Sequence, residues 1–491
     1  MIAVAAALRL QNLGGDSLWA DELYSLEASA GNTFQWLDLP RDVIIESPRP
    51  ITELSAANGS PVRIWSSFER DWHPPLYFVV LRAWRHVFGS SDVAIRSLSV
   101  LASLLAIILL FDIGRMLFDR RVALWACLLL AFAHPQIWYA QEARSYALVQ
   151  FLILGAADSV LRIERLGFQA WRGVGLGLCL LGAMLSHYFA FAGCVAIGVY
   201  ALIRLRGQAR IRTVLLMTGM ALAYGAMWGP FLYEQISLSS DPGWLLDRGS
   251  AFFSRWLDRA LLAPFRLFSE FQPGDHYWPE LLSLVLLFPV FLVRRRPALL
   301  LPALGAVALL ALPVLSDLVR HTAMLEHERY FLSAAPFVCL LVAGALDRPR
   351  FMASLLPACL LLYCVWTLPD RLFSRHRDNW RLMSQTVAGR AEPRDVLLFQ
   401  MQADWINGVG YLANSHYLNL PLPRTVLLRN PPTSQLLDEL RTARRAWLVT
   451  RDRDPDPERQ FPGFRRVRVE ALGTLGYLTE LRFEAGAGSE R

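Results

Sequence analysis

Apolar runs long enough to cross a bilayer recur from residue 93 to residue 368, separated by short polar turns. A crossing helix takes about 20 predominantly apolar residues. The pattern predicts spans at 93–114, 121–139, 144–162, 172–187, 188–204, 211–233, 278–293, 297–316, 330–347 and 350–368. The stretch 172–204 divides at Ser186-His187-Tyr188 into two short crossings. Residues 1–14 are apolar but shorter than a crossing. They read as a first span cut short, with a short interfacial helix as the alternative; no charged n-region and no small-residue cleavage site make them a signal peptide.

Residues 15–92 form a long loop with apolar patches and a Pro-rich stretch, Ser47-Pro48-Arg49-Pro50. The run to Phe88 carries Arg82, Arg85 and His86, which suits an amphipathic helix lying in the membrane interface. After residue 370 the pattern changes to short alternating runs. Residues 395–399 and 446–450 read as strands, 434–444 as a helix and 465–484 as a hairpin. The expected organisation is a helical polytopic membrane module over 1–369, with 15–92 as its first external loop, and a small α/β domain over 370–491. Arg451 to Pro457 is a charged surface loop.

Composition agrees with the pattern. The 491 residues are 54% hydrophobic and 19% charged, too apolar for a soluble chain of this length. Arg clusters at 115–121, 162–172, 204–212, 294–296 and 348–350 occur at every second turn. Short Arg-rich loops stay in the cytoplasm, so these five lie inside. With a first span counted, about 11 crossings place the tail outside. The same topology accounts for the net charge of +7, and no nucleic-acid partner is needed. Lysine is absent, so none can serve as base, nucleophile or phosphate ligand. Cys127, Cys179, Cys194, Cys339, Cys359 and Cys364 all fall in apolar runs and read as small core hydrophobes.

This topology gathers the unusual polar residues on the outer face: Asp21, Glu22 and His73 in the first loop, Gln141 to Tyr146 at the next outer turn, His187-Tyr188 at the one after, and His321 to Tyr330. Glu142 and Tyr146 are spaced to share a helix face. Arg144 lies where an outer helix begins and can grip a phosphate through its planar fork. Asp21 and Glu22 are adjacent, which disfavours ionising both and suits a base that takes a proton from a hydroxyl. Each feature has a plainer reading. Asp21-Glu22 can complement a helix dipole, Glu142-Arg144 can be an interfacial ion pair, His187-Tyr188 a packed pair, Glu328-Arg329 a surface pair, and Trp19, Trp72, Trp138 and Trp244 belt residues. Convergence on one membrane face favours a site. No nucleotide-binding glycine motif occurs, so a soluble nucleotide donor is not expected.

Leu18-Trp19-Ala20-Asp21-Glu22, His73-Pro74-Pro75-Leu76-Tyr77, Arg96-Ser97-Leu98-Ser99, Tyr139 to Tyr146 and Glu328 to Leu332 together resemble the polytopic glycosyltransferases of the GT-C superfamily. The nearest branch is the protein O-mannosyltransferase-like group, glycosyltransferase family 39 type, which includes the aminoarabinose transferase of lipid A. The resemblance covers about residues 1–370 and implies inverting transfer of a hexose or pentose from a polyprenyl-phosphate sugar. The acceptor would be a hydroxyl on a cell-envelope glycan such as lipopolysaccharide, on a lipid or on a protein, at the outer face of a bacterial plasma membrane. It implies Asp21 as the base with Glu22 in support. It places Arg144, Arg329, Gln141 and Tyr146 at the donor phosphate, and His73, Pro74, Pro75, Tyr77, Glu142, His187 and Tyr188 in shaping the substrate. The lysine that some members place near the phosphate is missing here; Arg70 or Arg82 are candidates for its role. Some relatives bind a divalent ion; Glu22, His73, Glu142 and His187 are possible ligands, but no spacing motif supports a site, and no other cofactor is expected. A flippase or transporter of lipid-linked sugars is the alternative. It would place polar residues at mid-span, whereas Asp112 and Asp158 lie near span ends.

Overall fold

The structure is a computed structural model that describes residues 1–32, 39–46, 62–66, 73–238, 245–247, 249–269, 278–345, 350–373, 379–392, 394–401, 404–418, 423–429, 431–451 and 457–484. The Pro-rich stretch 47–50, Arg70, Trp72, Trp244, Arg348 and most of the charged loop 452–456 lie outside the described residues. In chain order the first helices are α1 (Ile2–Leu10), α2 (Ala20–Ala30), α3 (Val62–Ser66) and α4 (Leu76–Phe88). The apolar run supplies α5 (Asp92–Leu117), α6 (Arg120–Phe132), α7 (His134–Ala140), α8 (Tyr146–Leu166), α9 (Ala170–Met184), α10 (Ala190–Arg204) and α11 (Gly207–Leu238). It continues with α12 (Phe252–Arg266), α13 (Trp278–Leu287), α14 (Leu300–Arg320), α15 (Ala335–Gly344) and α16 (Arg350–Phe373). The tail holds α17 (Trp380–Ala388), β1 (Val396–Gln400), α18 (Asp404–Tyr417), β2 (Arg424–Leu427), α19 (Ser434–Leu440), β3 (Arg445–Thr450), α20 (Pro457–Gln460), β4 (Phe464–Ala471) and β5 (Tyr477–Phe483).

The chain forms two compact units. The first comprises 1–13, 68–80 and 93–374; the second comprises 14–67, 81–92 and 375–491. Most of the first loop therefore groups with the tail, a partition that the hydropathy pattern does not announce.

In the helical unit, four helices among the described residues are long and apolar enough to cross a membrane, or five if the pair α6–α7 counts as one bent span. Shorter apolar helices occupy 170–184, 190–204, 278–292, 332–344 and 353–369. Small residues let the helices close on one another. A Cβ added at Gly155 would stand 2.7 Å from Cys179 Sγ, and one at Gly305 would stand 2.6 Å from the Phe337 ring.

Three expectations need correction. The span expected at 121–139 is bent by 63° between α6 and α7. Pro135 has no N–H for the Ala131 carbonyl, and the His134 N–H turns instead to Phe268 O at 3.3 Å. Fully buried Arg9 takes both freed carbonyls, donating to Ala131 O at 3.1 Å and Leu130 O at 3.2 Å. The span expected at 330–347 begins as three 3-10 turns over 324–334, and its α-helix, α15, has only ten residues. Cys359 is exposed and Cys179 half-buried, so the cysteines are not uniformly core.

In the second unit, strands order β2-β1-β3-β5-β4, with β2, β1 and β3 parallel and β5 and β4 antiparallel. Val396, Leu398, Val426, Leu448 and Leu481 meet Leu436, Leu440 and Phe461 in one core. Both sheet edges are managed. Segment 41–45 covers β2: Ile45 exchanges two bonds with Thr425 (2.9 and 3.2 Å), and the Asp42 carboxylate accepts the Arg429 and Thr433 N–H groups at 2.9 and 3.0 Å. On the opposite edge, β4 exposes Arg465, Arg466 and Arg468 around a register shift.

Candidate functional site

Several turn residues of the helical unit converge on His187. This histidine sits between α9 and α10, where the chain turns and must satisfy its own backbone. Its Nδ1 accepts the Phe189 N–H at 3.2 Å, which leaves Nε2 to carry the proton of the neutral ring. His73 lies edge-on to it with ring centroids 5.9 Å apart, and Tyr146 stands at the same distance. Burial, and then the charges of His73, Arg144 and Arg329, push the His187 pKa well below its ordinary value. The two arginines sought from the sequence therefore bear on one imidazole, although 185 positions of chain separate their segments.

Arg144 is positioned from several directions. It lies in the turn 141–145 between α7 and α8, and its Nη2 donates to His73 Nε2 at 2.9 Å. Its guanidinium lies 5.9 Å from the Tyr146 ring centroid. Its carbonyl accepts from Ser99 Oγ at 3.1 Å, and the Tyr77 hydroxyl lies 3.5 Å from Ser99 Oγ. Tyr77 thus buttresses Arg144 through Ser99. Pro74 and Pro75 are buried at the start of α4, where Leu76 N–H reaches Leu185 O at 2.9 Å and joins this segment to the His187 turn.

Arg329 lies in the 3-10 turn Glu328–Tyr330, with its guanidinium 5.2 Å from the Tyr330 centroid. The Phe189 and Tyr330 rings are 5.3 Å apart, which joins this turn to the one that carries His187. The turn is anchored by Arg266, which sequence reasoning passed over. Arg266 Nε donates to the buried Glu328 carboxylate at 2.8 Å, and Nη1 donates to Leu325 O at 2.5 Å. Tyr139 OH lies 3.5 Å from the other Glu328 oxygen and its ring packs edge-on to Tyr146 at 5.4 Å.

Other expected residues take structural places. Glu142 is not on a helix with Tyr146: it lies in the turn, 2% exposed, and accepts the Trp138 indole N–H at 3.0 Å. The Gln141 amide nitrogen donates to Arg9 O at 2.9 Å and Gln11 O at 2.8 Å, so it fastens the end of α1. The Tyr188 hydroxyl turns to α11, donating to Gln235 and accepting the Trp228 N–H at 3.0 Å.

Asp21 and Glu22 belong to the second unit, in the first turn of α2. Fully buried Glu22 reaches back to the Trp19 N–H at 3.3 Å and closes the helix start, which leaves that donor satisfied. Asp21 is half-buried, and its carbonyl accepts from Ser25. The adjacent carboxylates are thus unequal: one caps, and the other retains an accessible side. The segment before them is held by Arg381 and Tyr417, which with His416 bind the Asp92 carboxylate; none of these residues stands in a local motif. Among the described residues no group of three or more His, Cys, Asp or Glu side chains is placed to hold a metal ion.

Residues 72–233 match the family described as Dolichyl-phosphate-mannose-protein mannosyltransferase. The apo ArnT of Cupriavidus metallidurans is similar across 98% of this chain and 96% of its own, with a TM-score of 0.61 at 14% identity. Over nearly its whole length this chain shares the fold of that protein, the polytopic GT-C architecture. The ArnT structure bound to undecaprenyl phosphate shares the GT-C architecture over 100% of this chain and 98% of its own, with a TM-score of 0.56 at 13% identity. The mycobacterial arabinofuranosyltransferase AftD has a TM-score of 0.52 at 12% identity; 99% of this chain aligns to 40% of that one. No curated relative matches in sequence. The GT-C match and the apolar helices identify a multi-pass membrane protein with a small C-terminal sheet domain.

Proposed function

We propose that this chain transfers a sugar, with inversion, from a polyprenyl-phosphate donor to an acceptor hydroxyl on a cell-envelope glycan, lipid or protein at the outer face of a bacterial plasma membrane. The observation that carries the reading is the cluster of Arg144, Arg329, His73 and neutral His187. A glycosyl polyprenyl phosphate carries one negative charge. When its anomeric C–O bond breaks, the departing phosphate monoester carries two. Positive groups held in advance stabilise that added charge without reorganising as it forms. The family match and an ArnT structure bound to undecaprenyl phosphate support a lipid-linked donor.

Asp21 is the proposed base. The acceptor oxygen bonds to the anomeric carbon, its proton passes to the Asp21 carboxylate, and the electron pair of the broken bond leaves on the phosphate. Glu22 serves this step indirectly, by fixing the first turn of α2. Gln141 and Glu142 support Arg144 by holding its turn, and Tyr77, Pro74 and Pro75 support it from α4. Tyr146 packs beside the guanidinium, and Tyr188 anchors the His187 turn to α11.

The test is transfer in membranes, supplied with a panel of polyprenyl-phosphate sugars. Wild type is expected to use one donor, and Asp21→Asn to lose at least about 100-fold in kcat, within the range for general-base catalysis. Glu22→Gln, which keeps a capping oxygen, is expected to retain activity within about tenfold. Movement of the donor across the bilayer without transfer, unaffected by Asp21→Asn, would replace the reading with a flippase.

A further inference from the structure

The segment just before α2 has an unusual set of partners, all within the second unit. Asp92 is 8% exposed, and its carboxylate accepts from His416 Nε2 at 2.8 Å, Tyr417 OH at 2.8 Å and Arg381 Nη2 at 2.5 Å. His416 and Tyr417 close α18, and Arg381 lies in the first turn of α17. Two of these three partners, Tyr417 and Arg381, also grip residues 15–18. The Tyr417 hydroxyl accepts the Leu18 N–H at 2.7 Å. Arg381 donates its backbone N–H to Ser17 Oγ at 3.1 Å, and its guanidinium to Gly15 O and Asp16 O at 3.2 Å each. Ser17 Oγ also lies 3.4 Å from Asn379 Oδ1, the cap of α17.

These bonds use both ends of the tail's helical pair to fix main-chain atoms, so any side chain borne by residues 15, 16 and 18 is incidental to them. A buried carboxylate with three donors is costly to disturb, because removing one donor leaves charge unsatisfied. Two residues after Leu18 begins α2, which presents Asp21 in its first turn. We propose that Tyr417, Arg381 and His416, acting through Asp92, are positioning residues for Asp21, and that the C-terminal domain sets the aim of the catalytic base. The proposal rests on Asp21 being that base. It adds that the tail is part of the transferase and not an accessory to it.

The experiment uses the full-length protein in detergent–lipid micelles. Tyr417→Phe removes the hydroxyl that links Leu18 to Asp92. Hydrogen exchange over residues 15–30 is expected to speed up at least about tenfold, while exchange over β1 and β3 stays as in wild type. In the transfer assay kcat is expected to fall about 10- to 100-fold with the donor KM kept, since small misplacements of a reacting group carry such costs. In an Asp21→Asn background the same substitution should cost nothing more. His416→Gln, which can still donate to Asp92, should restore most of the rate that His416→Leu loses. Unchanged exchange over 15–30, or a kcat loss that adds fully to that of Asp21→Asn, would overturn the proposal. Absence of transfer by wild type from every donor would defeat the glycosyltransferase reading instead, while the exchange result would still show whether the tail holds this segment.

Discussion

Gln141 and Arg144 stand three positions apart in one turn and do different work. Gln141 spends its amide on the carbonyls that end α1, and Arg144 reaches His73. Residue types alone do not separate such roles, because an amide beside an arginine suits a phosphate as well as it suits a helix end. Burial and partner identity separate them, and both depend on contacts distant in sequence. His187 shows the same dependence. With Nδ1 accepting from Phe189 and positive groups around it, the ring stays neutral in the fold. The unfolded chain has an ordinary His pKa of about 6.5 and binds the proton first as pH falls. The fold's preference for the neutral ring therefore costs stability below that value, with a slope of up to about 1.4 kcal/mol per pH unit. Thermal unfolding of wild type and His187→Gln from pH 7.5 to 5 should show the wild type losing more stability across that interval.

At the scale of elements, the strands at 396–400, 445–450 and 464–483 and the long helices α5, α8 and α11 were legible, because period and length declare them. The break at Ala133 was signalled by Pro135, although the surrounding apolar run masked it. Helices α17 and α18 and strand β2 are not declared by the sequence pattern: α17 and β2 are short, and α18 packs on α17, β1 and β2, which are distant contacts. Equally hidden was the frame beside α12. There Asp247 accepts from Arg255 Nε at 3.0 Å and Arg259 Nη1 at 2.9 Å, and residues 245–247 exchange backbone bonds with 321–323. Arg255, and then Arg259, hold the Asp247 carboxyl far below the usual carboxylate range. A carboxylate with a lowered folded pKa stabilises fully above its unfolded value of about 3.9, and that contribution disappears as pH falls towards the folded value. The difference in melting temperature between wild type and Asp247→Asn should be constant above about pH 5 and shrink below pH 4.

For the whole molecule, the polytopic architecture and the presence of a tail domain could be read from hydropathy. The grouping of residues 14–67 and 81–92 with that domain could not. The bonds responsible join Ser17 to Asn379, Leu18 to Tyr417 and Asp42 to Thr433, and pairings across more than three hundred residues leave no periodic trace. The Arg clusters predict that the tail lies outside the cytoplasm. A phosphatase that folds only outside, fused after Phe373, should be active, and a cytoplasmic reporter at the same place silent; the reverse result would refute the proposed topology.

The closed edges of the tail's sheet bear on how such proteins can crowd together. Strands with open edges recruit others of their kind, and copies confined to a two-dimensional layer meet at high local concentration. Here residues 41–45 already occupy the place that a foreign strand would take beside β2. At the far side, β4 carries exposed charged side chains, Arg465, Arg466 and Arg468, around a register shift, features that discourage a second strand from pairing. Dense expression should therefore leave these domains as separate bodies and not seed fibres, and the guard at β2 is written into the loop that also carries Asp21.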